Sequence, residues 1–430
     1  MASNSIYWNA SASPARTTTE STLPKRVDVA IVGAGYTGLA AAIHLARAGR
    51  SVAVFDAEEI GHGCSSRNGG MVGPSFHQLG IAGLTSQYGE TKAHAIMQEG
   101  MNALDYFERF VAEEKLDCDL QMTGRFRGAR SVAGYDATAR ECEKLNKAVG
   151  LPFEMIGKEN QRAEIGTDFF DGGVVYHRDG GIHPRKLVNA LAEKAIEAGA
   201  MLFPSTPVKG MRRDGTETEI FCTDTVVKAR DVLVATNGYA DRRSNAMHQR
   251  VVQIRTGAIA TEEIPADLMA ELTPKSRMFG ESARIFMWFR PSPDGKRFIF
   301  GGRMGEPGCT PEVRAAAIRT AALRVFPQLE NIGAAHVWYG DVAYTPDHSP
   351  HLGFEDGVWL AGGYCGSGVT RSLYFAMKLS RRILGEADAA TAFDDLPFKK
   401  VPFKPFSRKV ADLMSRWWAW RDERDLMKRA

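Results

Sequence analysis

The hexamer GAGYTG at Gly33 to Gly38 constrains this chain most, because of what flanks it. Val27 to Val32 (VDVAIV) alternates apolar residues as a short buried strand does, and Leu39 to Gly49 (LAAAIHLARAG) carries them at helical spacing and stops at a glycine. The order is strand, tight turn, helix. A second apolar run, SVAVFD (Ser51 to Asp56), ends in an acid 23 residues after Gly33, near the roughly 20 of a dinucleotide-binding unit. Gly33 permits the turn, Gly35 lets backbone approach a pyrophosphate, and Gly38 lets helix pack on strand. The diphosphate would sit on the helix N-terminus, where unpaired N–H groups and the helix dipole favour negative charge. Asp56 would accept hydrogen bonds from both ribose hydroxyls, and its charge argues against the 2′-phosphate of NADP. The hexamer alone does not separate NAD from FAD.

The rest of the chain must supply the difference. Its 430 residues suffice for two to three domain-sized units. A formal charge of +3 is too even to imply nucleic acid or an acidic partner. Six cysteines lie scattered without a C-x-x-C pair, which reads as reduced thiols in a cytoplasmic protein. Residues 1–26, rich in Ser, Thr and Ala, lack a signal-peptide core and read as a loosely ordered arm. No apolar run reaches the ~18 residues of a membrane span, which excludes integral membrane contact.

Strand-like and helix-like segments alternate throughout, as in an α/β or α+β enzyme. Glu58 to Ser75 reads as a glycine- and serine-rich working loop, and His94 to Glu114 as a helix covering a second domain. Within Gly172 to Gly215, a helix opens at Pro184 and a strand runs to Val208. Lys228 to Ala240 is another buried strand with a polar turn. Val251 to Glu263 and the hairpin Ile285 to Arg303, turning at PSPDG, suggest an antiparallel sheet. Asp356 to Gly385 reads as strand, glycine-rich loop and helix, a second helix N-terminus for an anionic group.

Taken in order, GAGYTG, Asp56, SSRNGG (Ser65 to Gly70), ATNGY (Ala235 to Tyr239) and AGGYCGSGVTRS (Ala361 to Ser372) resemble the FAD-dependent oxidoreductases of the D-amino-acid oxidase and glycine oxidase type. SSRNGG and the N-terminal Tyr7-Trp8 are most similar to the gamma-glutamylputrescine oxidoreductase branch, which oxidises an amine in polyamine catabolism. The resemblance implies a Rossmann-like, glutathione-reductase-type FAD-binding domain and a discontinuous α+β substrate domain built on an antiparallel sheet. The corresponding division is an arm (1–26), an FAD-binding domain (27–80, 160–240, 335–385), a substrate domain (81–159, 241–334) and a tail (386–430).

For the cofactor, the resemblance implies Gly33, Gly35, Tyr36, Thr37 and Gly38 at the diphosphate and Asp56 at the ribose. Ser66, Arg67, Asn68, Gly69, Gly70 and Met71 would line the flavin ring, and the backbone of Val208 would meet the adenine. Ala235, Thr236 and Asn237 would close over the cofactor, and Gly363, Gly366, Gly368, Val369 and Thr370 would approach the pyrimidine edge. Hydride arriving at the flavin N5 builds negative charge on the N1 and C2 carbonyl edge, where aimed N–H groups lower the barrier.

Three departures from the sarcosine oxidase branch matter. Gly340 stands where those relatives link flavin to a cysteine, so FAD is expected to be noncovalent. Ile299 stands where they place a lysine for dioxygen, leaving a dehydrogenase with another acceptor open. Thr370 replaces a lysine that holds a substrate carboxylate, and Arg371 beside it should face elsewhere on a helix, which disfavours a simple alpha-amino acid.

The remaining candidates divide between site and scaffold. Tyr364 and Trp338 are either an aromatic wall around a substrate amine or core; Arg255 faces the substrate cavity or pairs with an acid outside it. His177 and His183 read as turn or packing residues, Cys365 as an inert small residue, and His348 and His351 as a loop pair without a third ligand, so no metal is expected. The basic, tryptophan-rich tail Ala411 to Arg429 packs on protein or rests on a membrane surface as a peripheral contact. The reading is an enzyme converting an amine to an imine that hydrolyses to aldehyde, with hydrogen peroxide from dioxygen. Alternatives are an amino-acid or N-methyl-amino-acid oxidase or dehydrogenase, or a flavin electron-transfer subunit needing a partner.

Overall fold

The computed structural model describes residues 4–14, 22–241, 245–303 and 307–427. Strand Arg26–Val32 is flanked in parallel by Val52–Phe55 and Val226–Val234. Met201–Phe203 extends one side and Val358–Gly362 the other, with His351–Glu355 antiparallel at the edge. Its two faces follow the period of two along a strand: Val29 and Ile31 meet a helical layer, while Ala30 and Val32 meet the layer of the hairpin Gly210–Asp214 and Glu217–Phe221. Burial on both faces explains the near-continuous apolar sequence. Helices Tyr36–Arg47, Pro184–Glu197 and Gly368–Leu384 form the helical layer. Pro184 sits in the first turn, where its missing N–H costs nothing, and the His183 ring accepts the N–H of Lys186 as cap.

A second sheet runs Ala334–Tyr344, Val252–Thr261, Phe298–Gly302, Met287–Pro291, Met278–Glu281, Arg125–Gly128, Gly173–Tyr176 and Phe153–Ile156. Every pairing is antiparallel except Met278–Glu281 with Arg125–Gly128. One face packs Phe289, Phe298 and Phe300 against Phe326 and the helix Pro311–Val325. The opposite face presents Ala258, Ala260, Ile299 and Trp338. The described chain is thus a mixed α/β molecule of two large sheets, both discontinuous in sequence, with a two-stranded ribbon of Met71–Val72 and Gly180–Gly181.

Several expectations change. The arm is not loosely ordered where it is described: Tyr7–Ala10 forms a helical turn and Trp8, with 0% exposure, fills the second sheet's free face. The rest of the arm's Thr-rich stretch, 15–21, lies outside the described residues. The strand expected to reach Val208 stops at Phe203, because Pro204 carries no N–H for a ladder and Ser205 turns with φ 50°. Strands Gly173–Tyr176 and Ala334–Tyr344, placed by sequence with the first unit, hydrogen-bond into the second sheet. Helix Glu90–Glu113, expected over the second domain, lends Ile96, Met97, Leu104 and Phe107 to the core of the first unit's helical layer. The Glu58 to Ser75 loop contains a 3-10 turn, Cys64–Ser66, and a two-residue strand, Met71–Val72. All six cysteines are free thiols, and no helix among the described residues is long and apolar enough to cross a membrane.

Candidate cofactor site

The glycine hexamer folds as a cradle that side chains would fill. A Cβ on Gly38 would lie 1.9 Å from the carbonyl oxygen of Gly33, and one on Gly35 would lie 2.8 Å from Oγ of Ser65. Gly33 itself has φ +109°, a conformation closed to ordinary side chains, and faces the carbonyl of Ala235. The helix that follows starts at Tyr36 with Gly35 as a cap that has no side chain to offer. Tyr36 N donates to Oγ of Ser65 at 3.0 Å, while its next N–H groups point out of the helix end as donors for an anion.

Asp56 stands beside this cradle. Its Oδ2 accepts the N–H of Ala34 at 2.7 Å and its Oδ1 that of Glu58 at 3.0 Å. Burial nevertheless raises its pKa above the usual aspartate value, with those two bonds opposing. The N–H of Thr206 donates to the Asp56 carbonyl at 2.7 Å, which carries the irregular segment ending at half-buried Val208 alongside.

A second helix end meets the first. Gly368–Leu384 also begins without a side-chain cap, after a loop in which Gly363, Cys365 and Gly366 all have positive φ. The two are stitched together: Oγ1 of Thr37 lies 2.8 Å from the Tyr364 hydroxyl, and Oδ1 of Asn237 accepts the N–H of Gly363 at 2.9 Å. Thr370 Oγ1 donates to the carbonyl of Gly73 at 3.2 Å. Val369 packs against the same core. Two positive helix ends therefore converge from separate parts of the sequence.

The loop from Ser66 to Met71 is fixed from three directions. Asn68 closes it internally, donating to the carbonyls of Cys64 (2.9 Å) and Ser65 (3.1 Å) and accepting the N–H of Gly70 (2.8 Å). Arg67 donates to the carbonyls of His62 at 2.7 Å and Tyr339 at 3.2 Å. From outside, Trp338 Nε1 donates to the carbonyl of Arg67 and Trp8 Nε1 to that of Asn68, each at 2.9 Å. Arg290 Nη1 donates to the carbonyls of Gly70 (2.9 Å) and Ile182 (2.8 Å). Ser66 is fully buried, Gly69 leaves its side-chain space to the Trp288 ring, and Met71 pairs with Gly181.

Hence the cofactor residues read from sequence cluster in one place, with Val208 joined at the Asp56 end. The chemistry of that place fits a flavin dinucleotide: a backbone cradle at two uncapped helix ends suits a diphosphate, and Thr236 Oγ1 is buried there without a partner among the described residues.

Of the substrate candidates, Arg255 and Trp338 line one surface cavity, and Tyr364 lies apart from them. Tyr364 is buried, bonded to Thr37 and packed on Phe375. Trp338 belongs to the wall over Arg67. Arg255 pairs both oxygens of Asp341 at 2.9 Å and lies 4.6 Å from the Tyr339 ring. His177 is exposed beside Glu154, His183 caps a helix, and His351 bonds to Asp347 and stacks on Phe398. Burial raises the pKa of the Cys365 thiol, which suits an inert residue. Arg371 turns over the Phe393 ring. Ile299 is fully buried under Trp8, and a Cβ at Gly340 would sit 3.3 Å from Cβ of Arg67.

Sequence reasoning missed two residues that shape this site. Trp8 carried a signal, a large apolar pair in an otherwise small and polar arm. Arg290 carried none: inside the hairpin it reads like any charged strand residue. It is fully buried, its pKa is pulled down to about 10 by desolvation, and its Nη2 has no partner among the described residues.

A sequence model of the family described as "FAD dependent oxidoreductase" (DAO) matches residues 28–382. The chain is 30% identical to the probable oxidoreductase OrdL of Rhizobium meliloti (strain 1021), covering 97% of this chain and 100% of that protein. It is 27% identical to the gamma-glutamylputrescine oxidoreductase of Escherichia coli (strain K12), covering 87% and 88%. Its fold matches the crystal structure of glycine oxidase from Geobacillus kaustophilus with a TM-score of 0.72 at 20% identity, covering 88% of this chain and 99% of that one.

Proposed function

The chain belongs to the DAO family of FAD-dependent oxidoreductases, and from that premise we propose that it oxidises the carbon beside an amine nitrogen, with a gamma-glutamylputrescine-like amine as substrate. FAD, when bound, supplies the hydride acceptor. The two uncapped helix ends at Tyr36 and Gly368 hold its diphosphate and pyrimidine edge, Asp56 holds the ribose, and Ser66 to Met71 line the ring. The cofactor is noncovalent, since position 340 carries no cysteine to link it and the nearby Cys64 thiol is engaged by the Asp341 carbonyl. Water outside the protein hydrolyses the released imine to an aldehyde.

The choice of amine over alpha-amino acid is carried by Thr370. Its hydroxyl is engaged by Gly73, and the neighbouring cation, Arg371, leans away over Phe393, so this helix turn aims no positive side chain at a carboxylate. The printed name of one relative, gamma-glutamylputrescine oxidoreductase, points the same way, whereas glycine oxidase and D-amino acid dehydrogenase are named for alpha-amino acids and support the alternative.

Anaerobic bleaching of the yellow holoenzyme tests this. Gamma-glutamylputrescine or a near analogue should bleach it faster than putrescine, glycine, D-alanine or sarcosine. Fastest bleaching by an amino acid overturns the substrate assignment while leaving the cofactor assignment intact. Gly35→Val should purify colourless, because its side chain enters the cradle.

Dioxygen is the proposed acceptor, giving hydrogen peroxide. One observation favours a dehydrogenase as second reading: the face carrying Ile299 is sealed by Tyr7 and Trp8. Admitting air to the bleached enzyme decides, since an oxidase recolours within the turnover time and a dehydrogenase waits for an added acceptor.

A further inference from the structure

The helix Lys404–Met427 is built the wrong way round for one that only covers its own protein. Its body-facing residues include Ser407, Ala411, Ser415, Trp418 and Asp422, and polar contacts attach it. Asp422 accepts the N–H of Ile285 and Nη1 of Arg284, each at 2.8 Å; Arg324 pairs with Glu423 at 2.6 Å; and Arg303 donates to Ser415. The residues turned outward are Phe406, Val410, Leu413, Trp417 and Trp420, preceded by Phe403 at 84% exposure. Their spacing of three or four residues aligns them in one stripe. An ordinary surface helix has this arrangement reversed.

The charges bordering the stripe are mostly positive. Lys409, Arg421 and Arg424 are exposed beside the stripe, with Arg421 5.1 Å from the Trp417 ring and Arg424 5.2 Å from that of Trp420, and Arg408 is exposed on the flank nearer Ala411. The acids of the last turns, Asp422, Glu423 and Asp425, are paired with Arg284 and Arg324 of the body. What remains outward is apolar and aromatic with an excess of positive charge, the half-exposed Asp425 bordering the groove of Trp417, Trp420, Arg421 and Arg424 while paired with Arg284.

We propose that this face docks on the surface of an anionic phospholipid bilayer, with the helix lying in the headgroup plane. Trp rings place an apolar body toward acyl chains and an N–H toward headgroups, and the flanking guanidinium groups meet lipid phosphates. No described helix is apolar enough to cross, so the contact is peripheral. A second copy suits the face poorly, because a two-fold pairing would set its cations against each other. The docking involves none of the residues assigned to FAD or substrate, so it stands or falls apart from the amine reading.

Co-sedimentation of the FAD-loaded full chain with vesicles tests it. Binding to mixed phosphatidylglycerol and phosphatidylcholine vesicles should be about tenfold or more tighter than to pure phosphatidylcholine and should weaken with added salt. Leu413→Ser/Trp417→Ser/Trp420→Ser should lose binding by about tenfold or more at unchanged flavin content and turnover. Arg421→Glu/Arg424→Glu should lose only the preference for anionic vesicles. A wild-type chain that stays in the supernatant with both vesicle types overturns the proposal. So does a chain that sediments alone as a dimer, becomes a monomer in the triple serine variant and binds no vesicle.

Discussion

The two ends of the described chain, a four-residue helical turn and a 24-residue helix, both carry tryptophan, and the rings meet opposite fates. Trp8 is 0% exposed, whereas Trp417 and Trp420 are 46% and 55% exposed. Hydrophobicity does not separate them; what each finds as a neighbour does. The arm meets a sheet face whose small residues, Ala258 and Ala260, leave room for an indole, and a carbonyl, that of Asn68, which its N–H can reach. The C-terminal helix meets Arg284, Arg303 and Arg324, which capture its acids and a serine and so turn its apolar side outward. A tryptophan is core only where both its area and its N–H are provided for.

The sharpest break in this comparison is Trp8→Ala. Emptying a fully buried tryptophan site costs about 3–5 kcal/mol. It also frees the carbonyl of Asn68 in the loop proposed to line the flavin. The expected outcome is a large drop in melting temperature with a lower flavin-to-protein ratio. Trp8→Phe should recover most of the stability but not the hydrogen bond. A Trp8→Ala protein that melts with the wild type would place the arm outside the core.

Acid should separate the ends next. His183, whose Nε2 lies 3.0 Å from Ser11 Oγ and whose ring lies 4.9 Å from Trp8, has its pKa lowered from 6.5 to about 4, mainly by burial. A histidine with a depressed folded pKa is neutral in the fold, while the unfolded chain takes up its proton from about pH 6.5 downward. Its contribution is therefore complete above about pH 6.5 and lost as pH falls toward 4, on the order of 3 kcal/mol. Hydrogen exchange of residues 4–14 should accelerate in that window. The helix Lys404–Met427 contains no histidine and should not respond there. His183→Asn, which can still cap the helix at Pro184, should flatten the response.

The attachment of the C-terminal helix ranks third. Asp422→Ala leaves the N–H of Ile285 without its acceptor and the guanidinium of Arg284 with Asp425 alone. A loss of about 1–2 kcal/mol follows, and it should appear as faster proteolysis within 404–427 at a nearly unchanged global melting temperature.

These contrasts mark how far the sequence could be read. The strand, turn and helix around GAGYTG were legible because period, glycine spacing and Asp56 are local features. The hairpin at PSPDG and the helix opening at Pro184 were legible for the same reason. Helix Glu90–Glu113 was visible as amphipathic, but amphipathicity says that a core exists without saying which one. Val208 was placed in a strand as a continuation of the apolar run Ala200 to Phe203, whereas Pro204 and Ser205 decide the ending. Trp8, Tyr364 and Arg290 depend on partners 60, 327 and 220 residues away, Asn68, Thr37 and Gly70. No local pattern encodes such a pairing. The proposed cofactor loops were exempt because each carries its own local glycine signature.

The smallest expected effect tests the comparison from its other side. Trp417→Ala and Trp420→Ala each remove an exposed ring and a stack with Arg421 or Arg424. An exposed stack of that kind contributes about 0.5–1 kcal/mol, and alanine's higher helix propensity returns part of it. The net change in stability should stay within about 0.5 kcal/mol, several-fold below that of Trp8→Ala. Paired thermal melts at the same protein concentration read this directly. If either substitution cost as much as Trp8→Ala, the stripe would have to be covered in solution by something that melts with the fold. A near-zero change means that the rings serve no internal packing, which leaves an external surface as the reason the helix carries them.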